Sequence, residues 1–134
     1  MDTVELVVDT GGRSLTDLTS ELTEFCSHRG DGLASAFCPH ATAALVLMER
    51  GAGSEEDLLA WVAIHLPRDA AYRHRHGYPG HGSDHLVPAL FGASVTVPVR
   101  AGAPLLGTWQ SLLLLDLNRD NNRRRVLLSF LSSP

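Results

Sequence analysis

Apolar residues recur with two different periods in the first part of the chain. In VELVVD (4–9), Val4, Leu6 and Val8 alternate with their neighbours, which is the period of a half-buried β-strand. In 14–30, apolar side chains follow the spacing of a helix face, and Gly30 is a typical stop. We therefore predict a strand over 4–9 and an amphipathic helix over 14–30.

Similar patterns predict strands for most of the remaining chain. SEED (54–57) has the pattern of a capping box and begins a second helix, which Pro67 closes. A polar loop then extends to about Asp84. The predicted strands are 33–38, 41–49, 93–99, 104–117 and 124–131, with a hairpin turn at 100–103.

Neighbouring strands with two helices predict an α+β fold: a mainly antiparallel two-sheet sandwich with two flanking helices, in a single domain over 1–134. The leucine run at 112–115 is apolar on both faces of its strand. One face fills the core, and the other must be covered by a second layer or a second subunit. This favours an oligomer.

Charge and composition exclude some classes of function. A formal net charge of −4 argues against a general nucleic-acid binder, because binding to phosphate backbones requires a basic surface. The start of the chain lacks the pattern of a signal peptide, and no apolar run reaches about 18 residues. We expect a cytoplasmic protein without a membrane span. Cys26 and Cys38 form no metal-type pair and are expected to be reduced core thiols.

The polar loop carries the strongest candidate chemistry. YRHRHGYPGHGSDH (72–85) contains four of the seven histidines. Three histidines stand out by context: His74, His85 and His40, the last at the junction of two strands. Three imidazoles with one open position are the arrangement of a catalytic zinc site. A surface loop can also carry histidines without any metal, and composition alone does not decide between the two.

Further polar residues suggest a pocket for an anion. Thr108 and Gln110 share one face of the predicted strand 104–117. A buried Gln needs a hydrogen-bond partner, which is either a ligand or neighbouring backbone. Glu49 is the last residue of its predicted strand. It is either an acid near the site or a solvated strand end. Arginine clusters bind carboxylates or phosphates, although they also occur as solvated charge; in this chain they are Arg73, Arg75 and 123–125.

Several ordered blocks resemble one known family. PHATAALVLME, YRH, HLVPALFGASVTVPV, LGTWQ and RRRV occur in the order and spacing of the YjbQ-like family (UPF0047), also called secondary thiamine-phosphate synthase enzymes. The resemblance covers about residues 3 to 131. It implies two antiparallel sheets with helices outside, resembling a jelly roll, a homotrimer, and a histidine cluster that holds zinc or another divalent metal.

Transferred to this sequence, the family pattern implies three groups of site residues. The metal ligands are His40, His74 and His85; the catalytic residues are Glu49, Thr108 and Gln110; the substrate- or anion-binding residues are Thr42, Tyr72, Arg73, His81, Arg123 and Arg125. The chain departs from the family at Ala41, where a threonine is usual, at His81, where Asn is usual, and in the turn NRDNNR (118–123). His81 is either an extra ligand or a hydrogen-bonding substitute for Asn.

The activity implied by the resemblance is thiamine-phosphate synthesis, in which a pyrimidine pyrophosphate and a thiazole phosphate condense and pyrophosphate leaves. Arginines and neutral donors suit the charge that develops on such a leaving group. Three imidazoles suit zinc better than the Mg²⁺ that pyrophosphate chemistry usually uses. A zinc-dependent hydrolase or lyase acting on a small anionic substrate, and a non-catalytic metabolite-binding module, therefore remain as alternatives.

Overall fold

Eight strands and three α-helices make up the protein in a computed structural model that describes residues 1–134. The strands are β1 Asp2–Asp9, β2 Leu15–Asp17, β3 Gly32–Phe37, β4 Ala43–Glu49, β5 Ser94–Arg100, β6 Ala103–Pro104, β7 Gln110–Asp116 and β8 Arg123–Ser132. The helices are α1 Thr19–Cys26, α2 Ser54–His65 and α3 Val87–Phe91, and a 3₁₀ helix, His81–Leu86, leads directly into α3. None of these helices combines the length and the hydrophobicity needed to cross a membrane.

The strands form two sheets in which every neighbouring pair is antiparallel. The order is β1-β8-β3-β5-β6 in the five-stranded sheet and β2-β7-β4 in the three-stranded sheet. The predicted α+β class with two antiparallel sheets is confirmed. At the predicted hairpin between β5 and β6, Ala101 and Gly102 both have positive φ, the conformation of a tight two-residue turn.

The main hydrophobic core lies between the two sheets. Alternate residues of the five-stranded sheet, among them Ala34, Val97 and Val126, contact Leu112 and Leu114 of β7. Helix α1 adds Leu22, Phe25 and Cys26 to the same cluster. Cys26 and Cys38 are buried and unpaired, and burial raises the pKa of the Cys38 thiol to about 11.

The continuous apolar run in β7 is buried on both faces by this chain alone. Leu112 and Leu114 belong to the core between the sheets, whereas Leu115 packs with Val62 of α2 and Val87 of α3 in a second cluster. The second layer is thus formed by helices α2 and α3. The run therefore gives no argument for an oligomer, contrary to the expectation from the sequence.

The predicted helix over 14–30 is too long at its start. Leu15–Asp17 forms strand β2 and pairs with β7, and the helix begins only at Thr19. The reason is local: the Asp17 carboxylate accepts hydrogen bonds from the backbone N–H and the hydroxyl of Thr19, which fixes a turn between strand and helix.

The predicted strand over 104–117 is interrupted. Residues 105–109 lie outside any strand, and β7 begins at Gln110. A tight turn causes the break, since the backbone N–H of Gln110 bonds the Gly107 carbonyl and the Gln110 side chain accepts from the Gly107 N–H. Helix α3, which the sequence pattern did not predict, starts with a proline in its first turn, a favoured position.

Candidate metal centre

Three histidines of the polar loop and the 3₁₀ helix converge. His74, His81 and His85 each offer one ring nitrogen, and these three atoms lie within 4.8 Å of one another. The Nε2 atoms of His81 and His85 are 2.9 Å apart. His74 and His81 each have a buried Nδ1 without a hydrogen-bond partner. Unpaired buried polar atoms are costly, so a set of converging imidazoles fits a bound cation.

Close backbone packing places these rings. His81 and His85 are four residues apart on the 3₁₀ helix, which begins after Gly80 in a left-handed conformation. Gly77 also has positive φ, and a Cβ at this position would lie 2.8 Å from the His81 ring. A Cβ at Gly82 would lie 2.7 Å from the Tyr72 Cβ. The loop therefore needs glycine at both positions to close around the histidines.

A buried carboxylate supports the histidines from behind. Asp84 is fully buried and bonds Arg68 at 2.6 Å and the Tyr78 hydroxyl at 2.6 Å. One of its oxygens lies 3.8 Å from His81 Nδ1. A carboxylate behind a ligating histidine orients its ring and raises its basicity. Asp84 lies behind His81, although at 3.8 Å it forms no hydrogen bond with the ring.

The same network fixes the loop to the end of β7. Arg68 donates to the Leu117 carbonyl, and the Tyr78 hydroxyl accepts the backbone N–H of Arg119. Burial and the hydrogen bond to Asp84 raise the pKa of Tyr78, so the hydroxyl stays protonated. The histidine group is thereby attached to a strand of the core rather than to a free loop.

Burial and the neighbouring imidazoles favour the neutral form of His74 and His85. Burial lowers the pKa of His85, and the neighbouring His74 and His81 lower it further. Burial, His76 and His81 lower the pKa of His74. A neutral imidazole has a free lone pair, which is the form that binds a metal.

Two of the three converging histidines, His74 and His81, face a cavity of about 300 Å³. Its wall includes His74, His76 and His81, the two tyrosines Tyr72 and Tyr78, and Arg75. His76 is not a member of the converging group, although its ring centre lies 3.9 Å from that of His74. The cavity is therefore rich in donors and has a cationic side chain beside the candidate metal position.

His40 does not belong to the converging group, contrary to the expectation from the sequence. Its Nε2 accepts the backbone N–H of Arg125 at 2.9 Å, and its Nδ1 faces the Arg124 guanidinium at 3.4 Å. Burial and these two cationic neighbours lower the pKa of His40. Both ring nitrogens are thus directed at donors of the same chain. Within one chain the converging histidines are His74, His81 and His85, and His40 is not among them.

Thr42 belongs to a buried polar network next to His40. Arg124 is 2% exposed and binds both oxygens of Asp116, at 2.6 and 2.8 Å. The Thr42 hydroxyl accepts from Arg124 and from the Asn118 amide. All of these groups are satisfied by one another, so within one chain Thr42 is committed to structure rather than open to a substrate.

The three predicted catalytic residues lie elsewhere in the chain. Glu49 pairs with Gln110 at one end of β4 and β7, whereas Asp116 pairs with Ala43 at the other. Six residue steps along a strand correspond to about 20 Å. Thr108 precedes β7 and does not share a strand face with Gln110, and all three side chains are exposed. One chain therefore does not bring Glu49, Thr108 and Gln110 to the histidines.

The predicted anion-binding residues are also dispersed. Tyr72 lines the histidine cavity and donates its hydroxyl proton to the Pro67 carbonyl. Arg73 is exposed and does not line that cavity. Arg123 and Arg125 are exposed because β8 alternates and only Arg124 faces inward; Arg125 pairs with Glu5 at the surface.

The support of the site, which Arg68, Tyr78 and Asp84 provide, was not found from the sequence. No sequence pattern pairs Arg68 with Asp84, because their contact depends on the path of the loop. The spacing of four between His81 and His85 was an available signal, since residues so spaced lie on one side of a helical turn. The segment is a 3₁₀ helix, however, in which residues three apart align, so this spacing by itself does not pair the two rings.

Comparison with known proteins identifies relatives along nearly the whole chain. The UPF0047 protein Rv2556c of Mycobacterium tuberculosis is 57% identical over 130 residues, covering 97% of this chain and 98% of its own. A UPF0047 protein of Archaeoglobus fulgidus is 35% identical, covering 92% of this chain and 98% of its own.

Solved structures share the fold. A YbjQ-like protein of unknown function from Sulfolobus solfataricus superposes with a TM-score of 0.90 at 26% identity, covering 98% of this chain and 97% of that one. An uncharacterised protein of the yjbq/upf0047 family from Clostridium acetobutylicum gives 0.86 at 25% identity, covering 96% and 99%. The model of the UPF0047 protein YjbQ-like family matches residues 4–133, and the chain therefore belongs to that family.

Proposed function

We propose that this protein binds a divalent transition metal, zinc in the first place, through His74, His81 and His85, and that it hydrolyses or hydrates a small anionic substrate beside it. The convergence of three imidazole nitrogens within 4.8 Å carries this proposal. Three histidines with an open position are typical of catalytic zinc sites.

The donor set favours zinc over magnesium. Zinc binds imidazole nitrogen at about 2.0–2.1 Å, whereas Mg²⁺ prefers oxygen ligands and retains several waters. The three ligand positions contain no carboxylate oxygen, and the nearest buried carboxylate, Asp84, lies behind His81. A zinc ion bound there would supply a Lewis acid that activates water at neutral pH.

The chain itself supplies binding and proton transfer. Arg75 lines the cavity and is the cation that we assign to the anionic group of the substrate. His76 lines the same cavity outside the ligand group, so its imidazole is available to exchange a proton with the substrate. Asp84 lies 3.8 Å behind His81 Nδ1, and on metal binding its carboxylate would accept the proton of that nitrogen.

We also propose the homotrimer implied by the family. The outer face of the five-stranded sheet exposes large apolar side chains, including Leu33, Phe37 and Leu131. Such a patch is typical of an interface. Assembly is also the way in which Glu49, Thr108 and Gln110 of one subunit can reach the histidines of another, because one chain holds them apart. Leu131→Glu should dissociate the oligomer in sedimentation velocity, whereas Ile64→Glu on α2 should not.

The condensation that forms thiamine phosphate stays a prediction from the family resemblance. Arg123 and Arg125, which were expected to bind its phosphates, are exposed away from the histidine cavity in the single chain. The cytoplasmic location also stays a prediction.

The test begins with protein that carries no affinity tag of histidines. Zinc content is measured by elemental analysis after dialysis against zinc, for the wild type, for His85→Ala and for the control His28→Ala, whose histidine is exposed and remote from the group. We expect one tightly held zinc per chain in the wild type and the control, and a loss in His85→Ala.

The same proteins are then assayed against phosphate monoesters, carboxylic esters and lactones, and against the two thiamine-phosphate precursors. Hydrolysis that requires zinc and weakens in Arg75→Gln, but not in Arg100→Gln, supports the proposal. Folded wild-type protein that binds no zinc contradicts it. Zinc binding without turnover favours the binding module, and release of pyrophosphate from the two precursors favours the condensation.

A further inference from the structure

A second cavity lies on the other side of Arg68, between helix α2 and the segment that follows β7. Its volume is about 480 Å³, larger than that of the histidine cavity. Small-molecule sites commonly have about 300–1,000 Å³. We call it the α2 cavity, defined by Leu59, Val62, Ala63 and Leu66 on the helix and by Leu117 and Arg119 opposite.

The floor of the α2 cavity is apolar and well ordered by packing. Val62, Leu66 and Val87 are buried members of the small cluster that also covers Leu115. Their side chains are fixed from behind by β7 and α3, so the cavity does not require rearrangement of the core to remain open. A floor of this kind suits a hydrocarbon or aromatic group, which gains free energy in proportion to the apolar area that it removes from water.

The polar groups at the wall differ in whether they are already satisfied. Asp116 is paired with Arg124, and the Asn118 amide bonds Thr42. Arg68 is paired with Asp84. The Arg119 side chain makes no hydrogen bond or ion pair with the chain, although its backbone N–H is held by Tyr78. Arg119 is exposed to solvent and free to pair with an anion, so the α2 cavity offers one available cation beside apolar side chains.

We propose that the α2 cavity binds a small molecule with an apolar body and one carboxylate or phosphate group. The apolar body lies against Leu59, Ala63 and Leu117, the partly exposed apolar residues of the lining, above the buried Val62, Leu66 and Val87. The anionic group pairs with the Arg119 guanidinium. Arg68 belongs to the walls of both cavities and separates this site from the histidines. The proposal does not depend on a metal and stands or falls separately from the proposed function.

The experiment uses octanoate as the probe and octan-1-ol as its neutral counterpart, with the metal-free full chain. Binding is followed by methyl NMR of the Leu and Val residues, which reports where the probe lies. We expect saturable shifts at Val62, Leu66 and Val87 with octanoate, and weaker binding of the alcohol.

Two pairs of variants localise the site. Ala63→Trp fills the cavity mouth and should abolish binding, whereas Ala60→Trp adds the same ring to an exposed position of α2 outside the cavity and should leave it unchanged. Arg119→Gln should weaken the binding of octanoate by about five-fold, as expected for a partly solvated ion pair, and leave the binding of octan-1-ol unchanged. The control Arg100→Gln should change the binding of neither probe.

Three results would overturn the proposal. The first is the absence of saturable shifts at millimolar octanoate. The second is equal binding by Ala63→Trp and Ala60→Trp. The third is a set of shifts confined to Leu and Val methyl groups outside the α2 cavity, which would mean that the probe binds elsewhere.

Discussion

The Nε2 atoms of His81 and His85 lie 2.9 Å apart, which is within hydrogen-bond distance. At this distance an N–H of one ring can donate to the lone pair of the other. When each ring carries its proton on Nδ1 instead, both Nε2 lone pairs are free to bind one metal ion. We therefore expect His81→Asn to weaken zinc binding by more than the roughly 10- to 100-fold loss that is typical of residues behind the ligands.

Competition with a chelating dye measures this affinity. His28→Asn is the matched control, since it removes an exposed imidazole from the chain. Equal zinc affinity of His81→Asn and the wild type would remove His81 from the ligand set.

Gly77→Ala tests whether close packing of the loop sets the position of the His81 ring. The added Cβ would lie 2.8 Å from this ring, so the ring must shift. Gly51→Ala is the control, because Gly51 has nearly the same φ and open space around it. We expect both variants to lose about 1 kcal/mol of stability from backbone strain, and only Gly77→Ala to lose zinc affinity. An equal loss of zinc affinity in Gly77→Ala and Gly51→Ala would show that contact with the His81 ring is irrelevant.

Asp116→Asn should strongly destabilise the fold. It removes one charge from a pair in which both side chains are almost completely buried, and the Arg124 guanidinium would remain uncompensated. We expect a loss of about 3–5 kcal/mol in the free energy of unfolding, measured with urea. Glu5→Gln breaks the exposed pair with Arg125 and should cost less than about 1 kcal/mol. Similar losses in the two variants would mean that the buried network is not a stabilising unit.

His40 should make the stability depend on pH. Burial, Arg124 and Arg125 lower the pKa of His40 below its ordinary value of 6.5, so the folded state binds the proton less readily than the unfolded state. The contribution of His40 is therefore fully present above pH 6.5 and is lost as the pH falls toward the folded pKa.

His40→Gln keeps an acceptor for the Arg125 N–H without a titrating group. We expect the wild type to be more stable at about pH 7.5 and the difference to shrink toward about pH 5, as followed by urea midpoints. A difference that stays constant over this range would contradict the assignment.

The period-two pattern of β1 and the hydrophobic run of β7 were sufficient to predict strands, because burial of alternate side chains is a local property of a strand. The hairpin at Ala101 and Gly102 and the position of helix α2 were also predicted. The capping box proposed at Ser54 does not form, because Gly53 is the N-cap and no side chain caps the helix. The break between Pro104 and Gln110 was not predicted, because it depends on a side chain of Gln110 that turns back onto Gly107.

The site was predictable only in part for a related reason. The sequence indicated a histidine-rich loop and grouped His40 with His74 and His85, whereas His81 stayed open between an extra ligand and a substitute for Asn. Only the tertiary structure decided that His40 accepts a hydrogen bond from the Arg125 backbone while His81 completes the group.

Local sequence thus determined most of the strands, two of the three helices and the segment that carries the imidazoles. The tertiary structure decided which rings converge, which arginine is buried, and that Asp84 stands behind His81. These relationships join residues whose distance in space is set by how the loop packs on the end of β7, and neither residue type nor spacing along the chain encodes that distance.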